Sequence, residues 1–401
     1  MRLDLDPPVE LTYCTNVHPG ESWAEVEANL RRYLPAIKQQ VAPDRPFGVG
    51  LRLSAEAAES LSRPATLEGL RALLAEEGLY VFTLNGFPYG RFHGERVKEK
   101  VYLPDWRDEE RLTYTDRLAA ILAALLPEGG EGSISTVPGA FKPRAADDAT
   151  IEPIVRNLLR QAVRLADLAE RSGRCIRLAL EPEPCCLLET VEETIGFFEE
   201  RLFSGAAVAA AAQLSGRSEK AAEALLRRHL GVCFDVCHAA VEFEGEDALD
   251  RLLGAGIAVP KIQLSAALRL PRVDARAVEL LRPFDDGVYL HQVVERGADG
   301  GLRRFADLEE AFAALAEAGA AGEREWRVHF HVPVFRDDIG AFATTQDYLK
   351  AVLARQRREP VTRQLEVETY TWGVLPEAER QGDPAAEIAR EMQWVRRELA
   401  A

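Results

Sequence analysis

The chain has 401 residues, 47% of them hydrophobic and 28% charged, ordinary globular values that exclude a disordered chain. With 49 Lys and Arg against 65 Asp and Glu, the net charge is 49 − 65 = −16, which argues against nucleic acid or an anionic lipid surface as a partner. No run approaches ~20 uninterrupted apolar residues, so no membrane-spanning helix is expected.

The opening segment MRLDLDPPVELTYC carries acids and prolines where a secretory signal needs a basic start and an apolar core, so a cytoplasmic protein is expected. The first strand pattern is LTYCTN (11–16). A helical pattern follows at 22–40, with Ser22 and Glu25 spaced as a capping box. Further strand patterns are FGVGLRL (47–53), LYVFTLNG (79–86), GSISTVPG (132–139), CIRLALEP (175–182), GVCFDV (231–236), KIQLSAA (261–267), RVHFHVPVF (327–335) and LEVETYTW (365–372). Most lack clean alternation, as expected for strands covered on both faces in a parallel sheet. Helical patterns lie between them at 109–126, 151–173 (stopped by Gly173), 190–202 and, last, from about 384 to 399.

Eight or nine strand–helix units point to a (β/α)8 TIM barrel using residues 1–401 as a single domain. A doubly wound open sheet ranks second, because no GxGxxG or Walker glycine pattern follows the first strand. The unit count has a surplus: both 261–267 and 327–335 qualify as the seventh strand. An insertion between about 269 and 326 would absorb it. The six cysteines (Cys14, Cys175, Cys185, Cys186, Cys233 and Cys237) read as reduced core residues, and the Cys233/Cys237 spacing carries little weight as a metal pair.

In such a barrel, chemistry gathers at the C-terminal ends of the strands. Those ends carry Asn16 and His18, Asn85, Glu181 and Glu183, Asp235 with His238, Gln263, then His329 and His331, and finally Glu366 and Glu368. A buried strand-end carboxylate costs several kcal/mol unless paired or metal-bound, so converging acids call for a cation. Acids with imidazoles suit Mn, Zn, Fe or Co, and all-oxygen sets suit Mg. Each residue also has a plainer reading. His329 and His331 share a strand face and would serve equally as hydrogen-bonded core residues. Asp235 and His238 could form a local strand–loop bond. His18 and Asn85 sit in turn-like NVHPG and NGFPYG. Glu181 resists a plain reading, being a lone acid after a wholly apolar strand. Glu366 and Glu368 share one face, and Glu368, nearer the mouth, is the expected site residue. His93 and His229 receive no role.

A Glu ending strand five (LALEP), an Asp-x-x-His ending strand six (FDVCH), Gln263 on IQLSA and Glu368 on EVETYTW resemble the xylose isomerase-like TIM barrels, which include sugar isomerases, sugar epimerases and the AP endonuclease type. More narrowly, LTYCTNVHPGESW, FTLNGFPYG, CFDVCHAAVEFE, KIQLSAAL, HFHVPVF and LEVETYTW are similar to the EboE-type branch, associated with metabolite traffic and export of a pigment precursor. The resemblance implies a divalent metal (Mn, Zn, Mg, Fe or Co) held by Glu181, Asp235, Gln263, His329, His331 and Glu368. Gln263 stands where sugar epimerases carry a histidine. His18, Asn85, Tyr89, His238 and His291 would line the substrate space. Glu181 and Glu368 would be the acid/base pair for proton transfer next to a carbonyl of a small polyhydroxy, sugar-like metabolite. A non-catalytic binding or traffic module, a metallohydrolase, and partner proteins from the same gene cluster are the further expectations.

Overall fold

The computed structural model describes residues 1–91, 98–145, 147–285, 287–318, 323–370 and 382–400. His93 and residues 371–381, which include the end of the expected final strand, lie outside them. Eight parallel strands form the barrel: Val9–Tyr13, Phe47–Arg52, Leu79–Asn85, Glu131–Thr136, Cys175–Leu180, Leu230–Asp235, Ala258–Leu264 and Gln364–Val367. From the second strand onward each pairs with the next in parallel register, and the eighth returns to the first. Closure between the first and second strands rests on one bridge, Cys14 to Gly50. The Thr12 hydroxyl adds to it, donating to the Gly48 carbonyl at 2.8 Å and accepting the Gly50 N–H at 2.9 Å. The strands are buried on both faces along almost their whole length, which accounts for their lack of clean alternation.

Helices wrap the outside. The one at Trp23–Val41 starts at Ser22 with the expected capping box to Glu25. The one at Asp148–Ser172 ends at Gly173, whose φ of 69° is a left-handed stop that suits glycine. The final helix, Pro384–Ala400, packs against the first.

The seventh barrel strand is Ala258–Leu264, and 327–335 is not in the barrel. The chain leaves that strand at Ser265 and builds a second, antiparallel sheet before its helix Gln346–Arg358. In spatial order the strands of this sheet are Leu302–Phe305, Val293–Gly297, Arg324–Val332, Ala266–Leu270, Phe342–Thr344 and Asp338–Ile339. The insertion is thus wider than the expected 269–326. Its core of Leu268, Phe312, Trp326, Val328 and Phe330 is distinct from the barrel core. KIQLSAA reads as one strand because the turn at Ser265 costs no apolar residue.

Candidate metal centre

The sixth strand ends at Asp235, whose Oδ1 accepts the His238 N–H at 3.0 Å and so caps the short helix Val236–Val241. That cap fixes both side chains of the Asp-x-x-His motif at the barrel mouth. Glu181 follows the fifth strand, its N–H donating to the Thr136 carbonyl at 3.0 Å. Glu368 follows the eighth, its N–H donating to the Leu264 carbonyl at 3.0 Å.

Carboxylate oxygens of Glu181, Asp235 and Glu368 all lie within 4.8 Å of one another, and all three residues are buried. Asn16 donates to Glu368 Oε1 at 2.6 Å. Asp235 Oδ2 and Glu368 Oε2 are buried with no hydrogen-bond partner. Burial holds all three carboxyls above their ordinary range, and mutual repulsion adds to this for Glu181 and Glu368. Unpartnered buried oxygens in an acidic cluster fit a cation.

A second group adjoins the first. His238 Nε2 lies 3.0 Å from His329 Nε2 and 3.3 Å from His331 Nε2, and the last two are 2.9 Å apart. Carbonyl oxygens fix the other ring nitrogens: Pro182 O at 2.9 Å from His238 Nδ1, Gln292 Oε1 at 2.7 Å from His329 Nδ1, and Glu368 O at 3.0 Å from His331 Nδ1. A carbonyl only accepts, so each Nδ1 carries the proton and each Nε2 presents a lone pair to the other two. Burial lowers His238 to about 3 and His331 to about 4, and pushes His329 far down, so the rings are neutral at pH 7. Three facing lone pairs repel unless a cation lies among them. Bonds of about 2.05 Å at a tetrahedral angle set ligand nitrogens about 3.3 Å apart, close to the spacing found. Asp235 belongs to both groups, its carboxylate within 4.8 Å of ligand atoms of His238 and His331.

His329 and His331 reach the site from the inserted sheet. The pairing of Arg324–Val332 with Ala266–Leu270 shifts register between Val328 and Val332, and such irregularities re-aim side chains. Cys237 adjoins them, its Sγ within 4.8 Å of ligand atoms of His329 and His331 and its thiol donating to the Phe330 carbonyl at 3.5 Å.

The other expected residues are placed elsewhere. The Gln263 carbonyl oxygen accepts the Cys233 thiol at 2.9 Å, and its amide donates to Asn85 Oδ1 at 3.3 Å, so it is engaged inside the barrel. Asn85 belongs to the same interior network, donating to Glu366 at 3.0 Å and accepting from Lys261 at 2.8 Å. His18 stacks on Tyr33 at 4.0 Å and contacts the Tyr13 hydroxyl at 3.0 Å. Tyr89 packs edge-on against Tyr114. His291 stacks on Phe330 at 4.1 Å. His229 lies 2.7 Å from the Ile176 carbonyl, near the start of the fifth strand. The cavity over the ligand groups is lined by Asn16, Phe87, Tyr102, Glu183, Gln292 and Tyr370, besides Glu181, Glu368 and the three histidines. Tyr102 and Gln292 add to the residues expected from the sequence, and Glu183, noted there at a strand end without a role, joins them. A second acid in EPEP, two residues beyond Glu181, is the sequence signal for Glu183.

Fold and site define a (β/α)8 barrel with a candidate metal centre at the C-terminal ends of its strands. No family model matches the chain, and no curated protein matches it. Among solved structures the chain is similar to several that are distant from it in sequence. The IolI protein with a bound zinc atom is 13% identical over 97% of each chain, at a TM-score of 0.43. A xylose isomerase domain protein from Planctomyces limnophilus is 14% identical over 88% of this chain and 84% of that one, at 0.43. Endonuclease IV from Thermus thermophilus is 17% identical over 98% and 99%, at 0.41. Strand order and closure in this chain carry the fold assignment.

Proposed function

We propose that this protein is a metal-dependent isomerase- or epimerase-like enzyme that moves a proton next to a carbonyl of a small, sugar-like metabolite. The carrying observation is the convergence of Glu181, Asp235 and Glu368 with two unpartnered buried oxygens among them. These carboxylates would hold a divalent cation, with His238, His329 and His331 as the adjoining nitrogen set. When bound, such a cation polarises a carbonyl oxygen. Glu181 and Glu368 exchange the proton, and Asn16 holds Glu368 by its Oε1. The neutral histidines keep their Nδ1 protons on carbonyls and stay out of proton transfer. Purified protein should carry divalent metal, and Glu181→Gln should carry less. Equal and negligible metal in both would overturn the reading. Incubation with D-fructose and D-tagatose in D2O reads the chemistry, as deuterium entering at the carbon next to the carbonyl.

A second reading, metal-assisted hydrolysis, is favoured by the two ligand groups sharing Asp235, because paired cations clamp an attacking and a leaving oxygen. Product formation without deuterium entry would select it. The EboE-type motifs support a setting in metabolite traffic, with partners from the same gene cluster in the cytoplasm. The engagement of Gln263 by Cys233 favours a binding module without turnover. Ligand-dependent thermal shifts with no product would mark that case.

A further inference from the structure

Gln292 enters from the inserted sheet, one residue before the strand Val293–Gly297, and is buried between the two ligand-bearing layers. Its amide nitrogen faces three oxygens: the Tyr102 hydroxyl at 2.9 Å, Glu183 Oε1 at 3.2 Å and the Pro184 carbonyl at 3.2 Å. Two of these only accept, so the NH2 end must lie there and the carbonyl end must face the other way. There Oε1 meets His329 Nδ1 at 2.7 Å. Glu183 is itself held in place by the Tyr102 hydroxyl, donating to Oε1 at 2.7 Å. The orientation of one amide is thus dictated by the barrel, and it dictates in turn which nitrogen of His329 carries the proton.

We propose that Gln292 is a positioning residue for the candidate metal centre: oriented by Glu183 and Pro184, it locks His329 with Nε2 unprotonated and aimed at His238 and His331. The inference rests on the metal reading for its purpose, but its structural core does not need a metal. Partners of this kind fix tautomer and ring orientation of ligating histidines, and their loss typically weakens metal binding about 10- to 100-fold.

The test uses protein labelled with 15N-histidine; seven histidines give a resolvable set. Ring-nitrogen NMR of the metal-free wild type should show His329 as the Nδ1–H tautomer. Gln292→Leu should shift it to Nε2–H or to a mixture. Competition with a chromophoric chelator, with Zn2+ as the probe, should show the affinity of Gln292→Leu reduced about 10- to 100-fold. Wild-type His329 found as Nε2–H overturns the proposal, even where Gln292→Leu fails to fold. So does an unchanged tautomer in the Leu variant. Unchanged Zn2+ affinity in that variant, with wild type binding Zn2+, overturns its role at the metal. Wild type that binds no Zn2+ overturns the metal reading, while the tautomer measurement still decides the role of Gln292.

Discussion

Lys261 Nζ lies 2.5 Å from Glu366 Oε2, and both side chains are fully buried inside the barrel. Asn85 ties the pair together, accepting from Lys261 at 2.8 Å and donating to Glu366 at 3.0 Å. Lys261 also lies 3.4 Å from the Ser135 hydroxyl. Burial alone would lower the ammonium, but the Glu366 carboxylate beside it holds it above its ordinary range, so it stays charged. A fixed ion pair therefore forms the floor beneath the acidic group at the mouth.

Removing one partner strands a buried charge. Lys261→Met is expected to cost about 3–5 kcal/mol, read by chemical denaturation at pH 7. The double variant Lys261→Met, Glu366→Leu should recover much of that loss, because no lone charge remains. A Met variant as stable as wild type would contradict the ion pair.

Gly50 makes room for the pair. A Cβ there would lie 1.8 Å from Glu366 Oε1 and 2.7 Å from the Tyr13 carbonyl oxygen. Gly50→Ala is expected to destabilise by at least about 1–3 kcal/mol. Gly69→Ala is the contrast: it lies within the helix Pro64–Glu77, with nothing within 4 Å of the added atom, and should gain about 0.5–1 kcal/mol. Thermal unfolding of both variants checks the difference in sign.

Glu391, on the final helix, accepts the Thr369 hydroxyl at 2.7 Å and the Val334 N–H at 3.1 Å through one oxygen. Burial pushes its carboxyl up to about 8, from 4.5 ordinarily. The folded chain holds this proton where the unfolded chain has lost it. Its contribution to stability is therefore full below about 4.5 and is lost as pH rises through about 8. Glu391→Gln should flatten the decline in stability between about pH 5 and pH 9. Identical slopes in variant and wild type would refute this.

The histidine group has the opposite dependence. The folded chain refuses protons on His331 until about 4 and on His238 until about 3, whereas ordinary imidazoles take them up at 6.5. Stability is full above 6.5 and falls as pH drops towards 4 and then 3. Zn2+ should raise the melting temperature at pH 7, and the gain should persist to about pH 5 and fade only as pH falls through about 4, where protons take the ring nitrogens. A pH-independent gain would place Zn2+ elsewhere.

The barrel was legible because its strands are buried on both faces and so lack clean alternation, and its helices carry clear caps at Ser22 and Gly173. The acidic group was legible because Glu181, Asp235 and Glu368 each stand at the C-terminal end of a barrel strand, where burial without a cation is costly. Strand identity around 261–335 was not legible. Both runs satisfy the same pattern, and only the turn at Ser265 separates a barrel strand from an inserted one. The expected substrate-facing roles of His18, Tyr89 and His291 rested on position along the chain. Aromatic stacking, which has no sequence period, decided where those rings went. Lys261 lies two residues before Gln263 on the same strand face, and a lysine in an apolar strand was the overlooked mark of the interior pair.

His329 and His331 belong to the excursion between the seventh strand and its helix, whereas Glu181, Asp235 and Glu368 belong to the barrel itself. Oxygen donors and most of the nitrogen donors are thus encoded on separable stretches of chain. Grafting a different excursion between Ser265 and Thr345 would exchange two imidazoles and leave the carboxylates in place. A chimera of that kind would keep the three barrel carboxylates while changing the nitrogen half of the candidate metal centre, so this excursion can vary without rebuilding the frame.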